Sequence, residues 1–165
     1  MALGDIQIMA ESNGHGYPGD MPFAVAASAT LINACEPVVK ALGNSTGNVV
    51  APMATNKPVV GTDYLAGLSA TTSTNTASSA GAVNVMPINT TVTLYMAPNN
   101  PTLWATQSLY NALVGARVLM DLTSGRYTLL ATDGATNGCV VEPIDLLKYP
   151  GRVAFKFRGG LNYAA

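Results

Sequence analysis

Charge is what this chain has least of. Eight Lys/Arg and nine Asp/Glu make up 10% of its 165 residues, against roughly 25% in an ordinary soluble protein. The net charge of −1 supplies no field to attract DNA or RNA. Aromatic residues are 7% of the chain and are not interleaved with basic ones, which removes the stacking platform of single-strand binders. Histidine occurs once, as His15 among glycines, where nothing would fix its ring, so a Ser-His-Asp or Cys-His system has no foundation. No second His and no Cys pair at ligand spacing supports a metal centre of that type. The two cysteines, Cys35 and Cys139, lie far apart and show no disulfide framework. Buried free thiols fit them better, because Cys packs as a small hydrophobe. No run of 18 apolar residues occurs, so no transmembrane helix is expected. Residues 21–35 have the outline of a lipoprotein signal ending in Ile32-Asn33-Ala34-Cys35. No basic residue precedes them, Glu11 and Asp20 do, and Ser28 and Thr30 break the apolar run. The chain is therefore read as lacking an export signal, which strips meaning from the glycosylation patterns at Asn44 and Asn89.

In place of charge the surface must use Thr, Ser, Asn and Gly. Such a surface has few long side chains, so ordering it against a partner costs less entropy. Protein interfaces are also depleted of charge at their centres. A Thr-rich secreted β-protein would have a similar composition.

Along the chain the signals are those of short strands. Ile6-Gln7-Ile8-Met9 alternates and is followed by a Gly/Pro-rich stretch from Asn13 to Asp20. Residues 1–20 read as an extended arm suited to joining a partner's sheet by strand addition. Apolar runs follow at Phe23-Ala24-Val25-Ala26, Ala29-Thr30-Leu31-Ile32, Glu36 through Leu42, Val49-Val50-Ala51 and Val59-Val60-Gly61. Pro52 and Pro58 push the last two toward strand starts or edges. Residues 70–80, almost wholly Thr, Ser, Ala and Asn, have no apolar period and read as a mobile loop. Strands resume at Ala82-Val83-Asn84-Val85-Met86 and at Thr91 to Met96, where Val92, Leu94 and Met96 share one face. Residues 102–113 have helical spacing, with Thr102 as cap and Gly115 as stop.

Val118, Met120 and Leu122 then alternate with Arg117, Leu119 and Asp121. Gly125 supplies positive φ for a hairpin turn, and Tyr127 and Leu129 alternate with Thr128 and Leu130. Asp133-Gly134 and Asn137-Gly138 are turn dipeptides. Cys139-Val140-Val141 reads as buried on both faces. In the last strand Val153, Phe155 and Phe157 point to one face and Arg152, Lys156 and Arg158 to the other. That basic face is either plainly solvated or meets acidic groups on a neighbour. A weak internal echo links Glu36-Pro37-Val38-Val39 with Val141-Glu142-Pro143-Ile144. A second links Gly81-Ala82-Val83-Asn84-Val85 with Gly151-Arg152-Val153-Ala154-Phe155, and neither makes a clean repeat. The carboxylates that could act as a pair, Asp121, Asp133, Glu142 and Asp145, all fall at turns or strand ends, where Asp serves the turn itself. No catalytic, metal or cofactor residues are assigned.

The expected fold is all-β, mainly an antiparallel sandwich or barrel, with one short helix and an extended N-terminal arm. Residues 21–165 form a β-rich domain, or two β-units covering about 21–100 and 101–165.

Residues 119–126, Leu-Met-Asp-Leu-Thr-Ser-Gly-Arg, and 129–141, Leu-Leu-Ala-Thr-Asp-Gly-Ala-Thr-Asn-Gly-Cys-Val-Val, resemble the core of the bacteriophage lambda head decoration protein family. Lys156-Phe157-Arg158-Gly159 continues the likeness, which covers about a quarter of the chain. The resemblance implies a β-tulip-like C-terminal part and a structural protein on the outer surface of a tailed-phage capsid. Its partners would be the major capsid protein and further copies of itself, a trimer being favoured, with neither nucleic acid nor membrane. It carries no catalytic residues and no cofactor. It also implies an N-terminal strand that adds to a capsid strand, for which Leu3, Asp5, Ile6, Gln7, Ile8 and Met9 are the candidates. Arg152, Lys156 and Arg158 are the candidates for contact with a neighbour. Alternatives are another β-rich virion component, tail-tube or fibre-associated, or a carbohydrate-binding module using Trp104 or Tyr110.

Overall fold

The computed structural model describes residues 7–11, 21–40, 49–62, 64–88, 90–123, 125–158 and 162–163. Their chain is mostly β with one α-helix, as the alternating runs predict. Twelve strands are present among the described residues: β1 (Gln7–Glu11), β2 (Met21–Val25), β3 (Pro37–Lys40), β4 (Val49–Pro52), β5 (Tyr64–Ser69), β6 (Gly81–Met86), β7 (Val92–Met96), β8 (Arg117–Thr123), β9 (Arg126–Leu130), β10 (Cys139–Glu142), β11 (Val153–Phe157) and β12 (Asn162–Tyr163). The helix α1 spans Gln107–Leu113.

The described residues form two compact units, and the chain passes between them more than once. One unit holds 21–40, 49–53, 62, 64–88 and 162–163; the other holds 7–11, 54–61, 90–123 and 125–158. The units are thus not two consecutive stretches split near residue 100: β7 belongs with the strands that follow it.

In the first unit, β2 to β6 close into a five-stranded barrel, because β5 pairs with β6 as well as with β3. Closure leaves these strands no open edge, and β12 adds to β5 from outside. Phe23, Val25, Ile32, Val38, Val50, Ala66, Val83 and Val85 fill the interior. The sequence gives no alternation over residues 64–69, and β5 was not expected there. The reason is that Leu65 through Ser69 are all buried, so both faces are covered and the period of two disappears. Gly67 lies where the barrel closes. A Cβ there would come 2.1 Å from the Met86 carbonyl oxygen, and its φ is +148°, so only glycine fits.

In the second unit the order is β1-β7-β11-β10-β8-β9. The far strand β9 returns to the segment after β7: the Leu129 N–H donates to the Ala97 carbonyl and the Asn99 N–H to the Leu129 carbonyl. Val92, Leu94, Met96, Val118, Met120, Leu129, Val153, Phe155 and Phe157 are buried. The rings of Phe155 and Phe157 meet edge to face at 5.7 Å. Each such side chain contributes roughly 1.5–3 kcal/mol, and the predicted Val153/Phe155/Phe157 face is indeed core.

The two units share one connectivity. Numbering β2–β6 of one unit and β7–β11 of the other in chain order, both sheets run first, fifth, fourth, second, third. In the first unit the third strand pairs with the first in parallel; in the second, Leu129 of the third strand makes a single parallel bridge to Pro98, just after the first. The other neighbouring pairs are antiparallel. Of the two echoes in the sequence, the one between residues 81–85 and 151–155 joins equivalent fifth strands. The other does not: β3 is a second strand and β10 a fourth.

Three local expectations change. The helical stretch divides into a 3-10 turn, Pro101–Trp104, and α1, whose cap is Thr106 and not Thr102; the Thr106 hydroxyl accepts from the Leu109 N–H. Cys139 and Val141 are buried while Val140 and Glu142 are partly exposed, so β10 alternates and is not covered on both faces. Ala29-Thr30-Leu31-Ile32 and Val59-Val60-Gly61 are not strands. Ile32 is buried, and Val59 makes only an isolated bridge to Asn137.

Candidate functional site

β1 carries Gln7, Ile8 and Met9, three of the residues predicted to join a capsid strand. Its pairing partner in the structure is the chain's own β7, antiparallel, with Gln7 opposite Tyr95 and Ile8 opposite Leu94 and a register shift at Met9. One backbone edge of the predicted docking strand is therefore occupied internally, which corrects the picture of an arm left unpaired until a partner arrives. β1 remains the end strand of its sheet, and a bulge is a common device at such an edge. Leu3, Asp5 and Ile6, with residues 12–20 of the predicted arm, lie outside the described residues.

The basic residues in and flanking β11 are already engaged. Lys156 Nζ lies 3.2 Å from Glu142 Oε2 on β10, where register places it across from Val140. Arg158 donates to the backbone carbonyls of Ala135 and Asn137, at 3.0 and 2.7 Å. The Arg152 guanidinium stands 5.7 Å over the Tyr95 ring, within cation–π range. The face is solvated, yet it serves to fix β10, β7 and the loop before β10, and is not a patch of unengaged charge awaiting a neighbour.

That loop, residues 131–138, is the part of the chain that most resembles the decoration family. Asp133 accepts from the Arg117 backbone N–H at 3.0 Å and from its guanidinium at 3.3 Å. These two bonds, backbone first, hold the Asp133 carboxyl below the usual carboxylate range. The buried Asn137 amide donates to the Arg117 carbonyl at 2.9 Å and to the Thr132 carbonyl. The turn residues thus spend their polar groups on loop geometry. Asp121 does the same elsewhere: it accepts from Thr123 at 2.6 Å, from Asn99 at 2.7 Å and from Thr55. The Thr123 and Thr55 hydroxyls draw its carboxyl downward. Asp145 accepts from the Leu147 N–H at 2.9 Å. Each of the four carboxylates considered for catalysis has its own separate partner. No group of three His, Cys, Asp or Glu that could hold a metal occurs among the described residues.

Trp104 and Tyr110 cannot form a sugar-stacking platform, since Trp104 is 4% exposed and Tyr110 wholly buried. Tyr110 is a peg. Its hydroxyl donates to the Glu142 carbonyl at 2.8 Å and accepts from the Ala154 N–H at 2.9 Å, joining β10 to β11. Burial pushes its pKa up to about 12. The Trp104 ring packs on Tyr110 at 5.6 Å. Its Nε1 is the only buried side-chain polar atom without a hydrogen-bond partner among the described residues. Burial likewise raises the Cys139 thiol, which suits a structural and unreactive cysteine.

The low-complexity segment 70–80 is a loop, but a fastened one. The Ser73 hydroxyl donates to Asn75 at 2.6 Å and accepts from the Ile32 N–H at 2.9 Å. The Asn75 amide donates to the Ser28 and Thr30 carbonyls at 2.8 and 3.1 Å. Both side chains are buried. Composition alone could not separate such a strap from a mobile loop, because the same polar residues serve both.

One surface escaped the sequence reading. Leu103 and Leu109 are 46% and 48% exposed, and Leu147 is 95% exposed. Leu147 sits in a turn that Gln107 of α1 fixes, donating to the Ile144 carbonyl at 2.9 Å and accepting from the Leu146 N–H at 3.0 Å. The available signal was a Leu-Leu pair between Asp145 and Lys148, outside any alternating run.

No protein-family model, curated protein or solved structure matches the chain. No helix among the described residues is long and apolar enough to cross a membrane.

Proposed function

We propose that this chain is a structural virion protein that binds the outer surface of a tailed-phage capsid and stabilises contacts between capsomers. The observation that carries the reading is the loop 131–138 between β9 and β10. Its Asp133 and Asn137, with Arg158 reaching in from the end of β11, lock the Asp-Gly and Asn-Gly turns in the stretch that resembles the decoration family. Engaged carboxylates, a surface poor in charge and side chains spent on fixing loops support a protein built for interfaces and not for chemistry. In this reading the major capsid protein is the partner, β1 at the sheet edge is the part nearest to a strand-addition site, and the chain acts as a homo-oligomer, a trimer being favoured. Each copy joins subunits that meet weakly, and many copies together resist internal pressure.

Purified protein is expected to bind saturably to expanded heads that lack it and to raise the temperature at which those heads break. No saturable binding, or immunogold label on tails alone, overturns the proposal.

A further inference from the structure

The turn 145–148 places an exposed leucine beside an apolar cavity lined in part by Pro101 and Trp104. Leu147 projects as a knob, 95% exposed, on a turn fixed at both ends: Asp145 caps the Leu147 N–H, and the Tyr149 N–H donates to the Asp145 carbonyl at 3.0 Å. A large apolar side chain held out on a rigid turn stays hydrated in the isolated chain, unlike one on a loop that can fold back. The preceding residue, Leu146, is part of the wall of an apolar cavity of about 390 Å³, lined also by Ala97, Pro98, Pro101, Trp104 and Pro150. Asp145 and Lys148 flank the knob with opposite charges. Neither makes an ion pair with another side chain among the described residues.

We infer that this surface is where copies of the chain meet, with Leu147 of one copy entering the Trp104 cavity of the next. The occupant is a second copy because one turn supplies the knob, part of the hole and both signs of charge. When two such turns face each other, Asp145 of one lies toward Lys148 of the other and each Leu147 has a cavity to fill. A two-fold pair makes all of these contacts reciprocally, and a ring keeps the contact of each Leu147 with the cavity of the next copy; a partner of another sequence would have to reproduce all four features. Prolines at the cavity rim lose little freedom on binding, and a pre-formed hole with an aromatic wall is the usual seat of a hot spot. The inference gives a surface to the self-association in the proposed function, yet it stands or falls separately from capsid binding.

Light scattering over a concentration series tests it. Wild type is expected to show a mass that is a multiple of 17.0 kDa, and Leu147→Glu to return to the single-chain mass with an unchanged circular dichroism spectrum and melting temperature. Because Leu147 is so exposed, the substitution does not touch the core. A double variant, Leu147→Cys with Ala105→Cys on the cavity wall, is expected to give disulfide-linked multimers on a non-reducing gel that neither single variant gives. Wild type at the single-chain mass throughout, or Leu147→Glu at the wild-type mass, overturns the inference. Head binding measured in parallel keeps the two proposals apart: a monomeric Leu147→Glu that still coats heads leaves both standing.

Discussion

Tyr110 shows how one hydroxyl can decide the fate of two strands. Its oxygen serves the Glu142 carbonyl and the Ala154 N–H at once, and the side chain is wholly buried. Tyr110→Phe keeps the ring and its contact with Trp104 but leaves two backbone groups unsatisfied, and is expected to cost about 1–3 kcal/mol in chemical denaturation. The same burial creates a pH dependence. The folded-state value of about 12 lies above the ordinary 10.0, so between these values the unfolded chain binds fewer protons than the folded one. Stability is therefore fully present below about pH 10 and falls as pH rises toward about 12. Denaturation midpoints across that window should show a steeper alkaline loss in wild type than in Tyr110→Phe. Asp121 and Asp133 act with the opposite sign. Both carboxyls are drawn below their ordinary value of 3.8, so their contribution is present above about pH 4 and is lost as pH falls below it. Asp133 is exposed and Asp121 half-buried at the sheet surface, so the effect is small. A double variant, Asp121→Asn with Asp133→Asn, should lose less melting temperature than wild type between about pH 5 and about pH 3.

At the scale of elements, strands with one buried face were legible and strands with two were not. β7, β8 and β9 alternate in burial much as in sequence, because one face of each meets a core and the other meets water; β11 departs only at Ala154, which is buried where its N–H meets the Tyr110 hydroxyl. β5 broke the rule, and Gly67 within it, which reads as a strand breaker, is what lets β6 close the barrel. Gly67→Ala is expected to destabilise by upwards of about 3 kcal/mol, since the Met86 backbone cannot retreat without opening the β5–β6 pair. The strap 70–80 gives a second test. Asn75→Ala removes the donors to two loop carbonyls, at an expected cost of about 1–3 kcal/mol. Limited proteolysis should then cut within 70–80, where wild type resists. A wild-type chain nicked there as readily as the variant would show that the strap does not hold in solution.

At the scale of the molecule, one connectivity occurs twice in a single chain, yet the two halves are not separable pieces. Residues 54–61 leave the first barrel between β4 and β5 and pair within the other unit, where the Met120 N–H and carbonyl both bond to Lys57. β1 joins that unit from the opposite end of the sequence. A fragment of residues 90–165 would therefore lack both, exposing the Met120 backbone and an edge of β7. It is expected to give a poorly dispersed amide spectrum, whereas the full chain gives a dispersed one. A well-dispersed fragment spectrum would mean that the crossing segment is dispensable.

Sequence by itself determined the fold class, the hairpin at Gly125 and the core face of β11. Each depends on neighbours close in the chain, where a period of two or a residue's conformational range leaves a direct mark. What the tertiary structure alone decided were the matters of long-range closure. These are the double burial of β5, the chain crossing at 54–61, the fastening of a polar strap and the capture of β1 by β7. It also decided that the basic residues in and flanking β11 and the aromatics Trp104 and Tyr110 are spent internally, while Leu147 is left in water. Exposure and pairing depend on which distant segments arrive beside a residue, and no local pattern in the chain encodes that arrival.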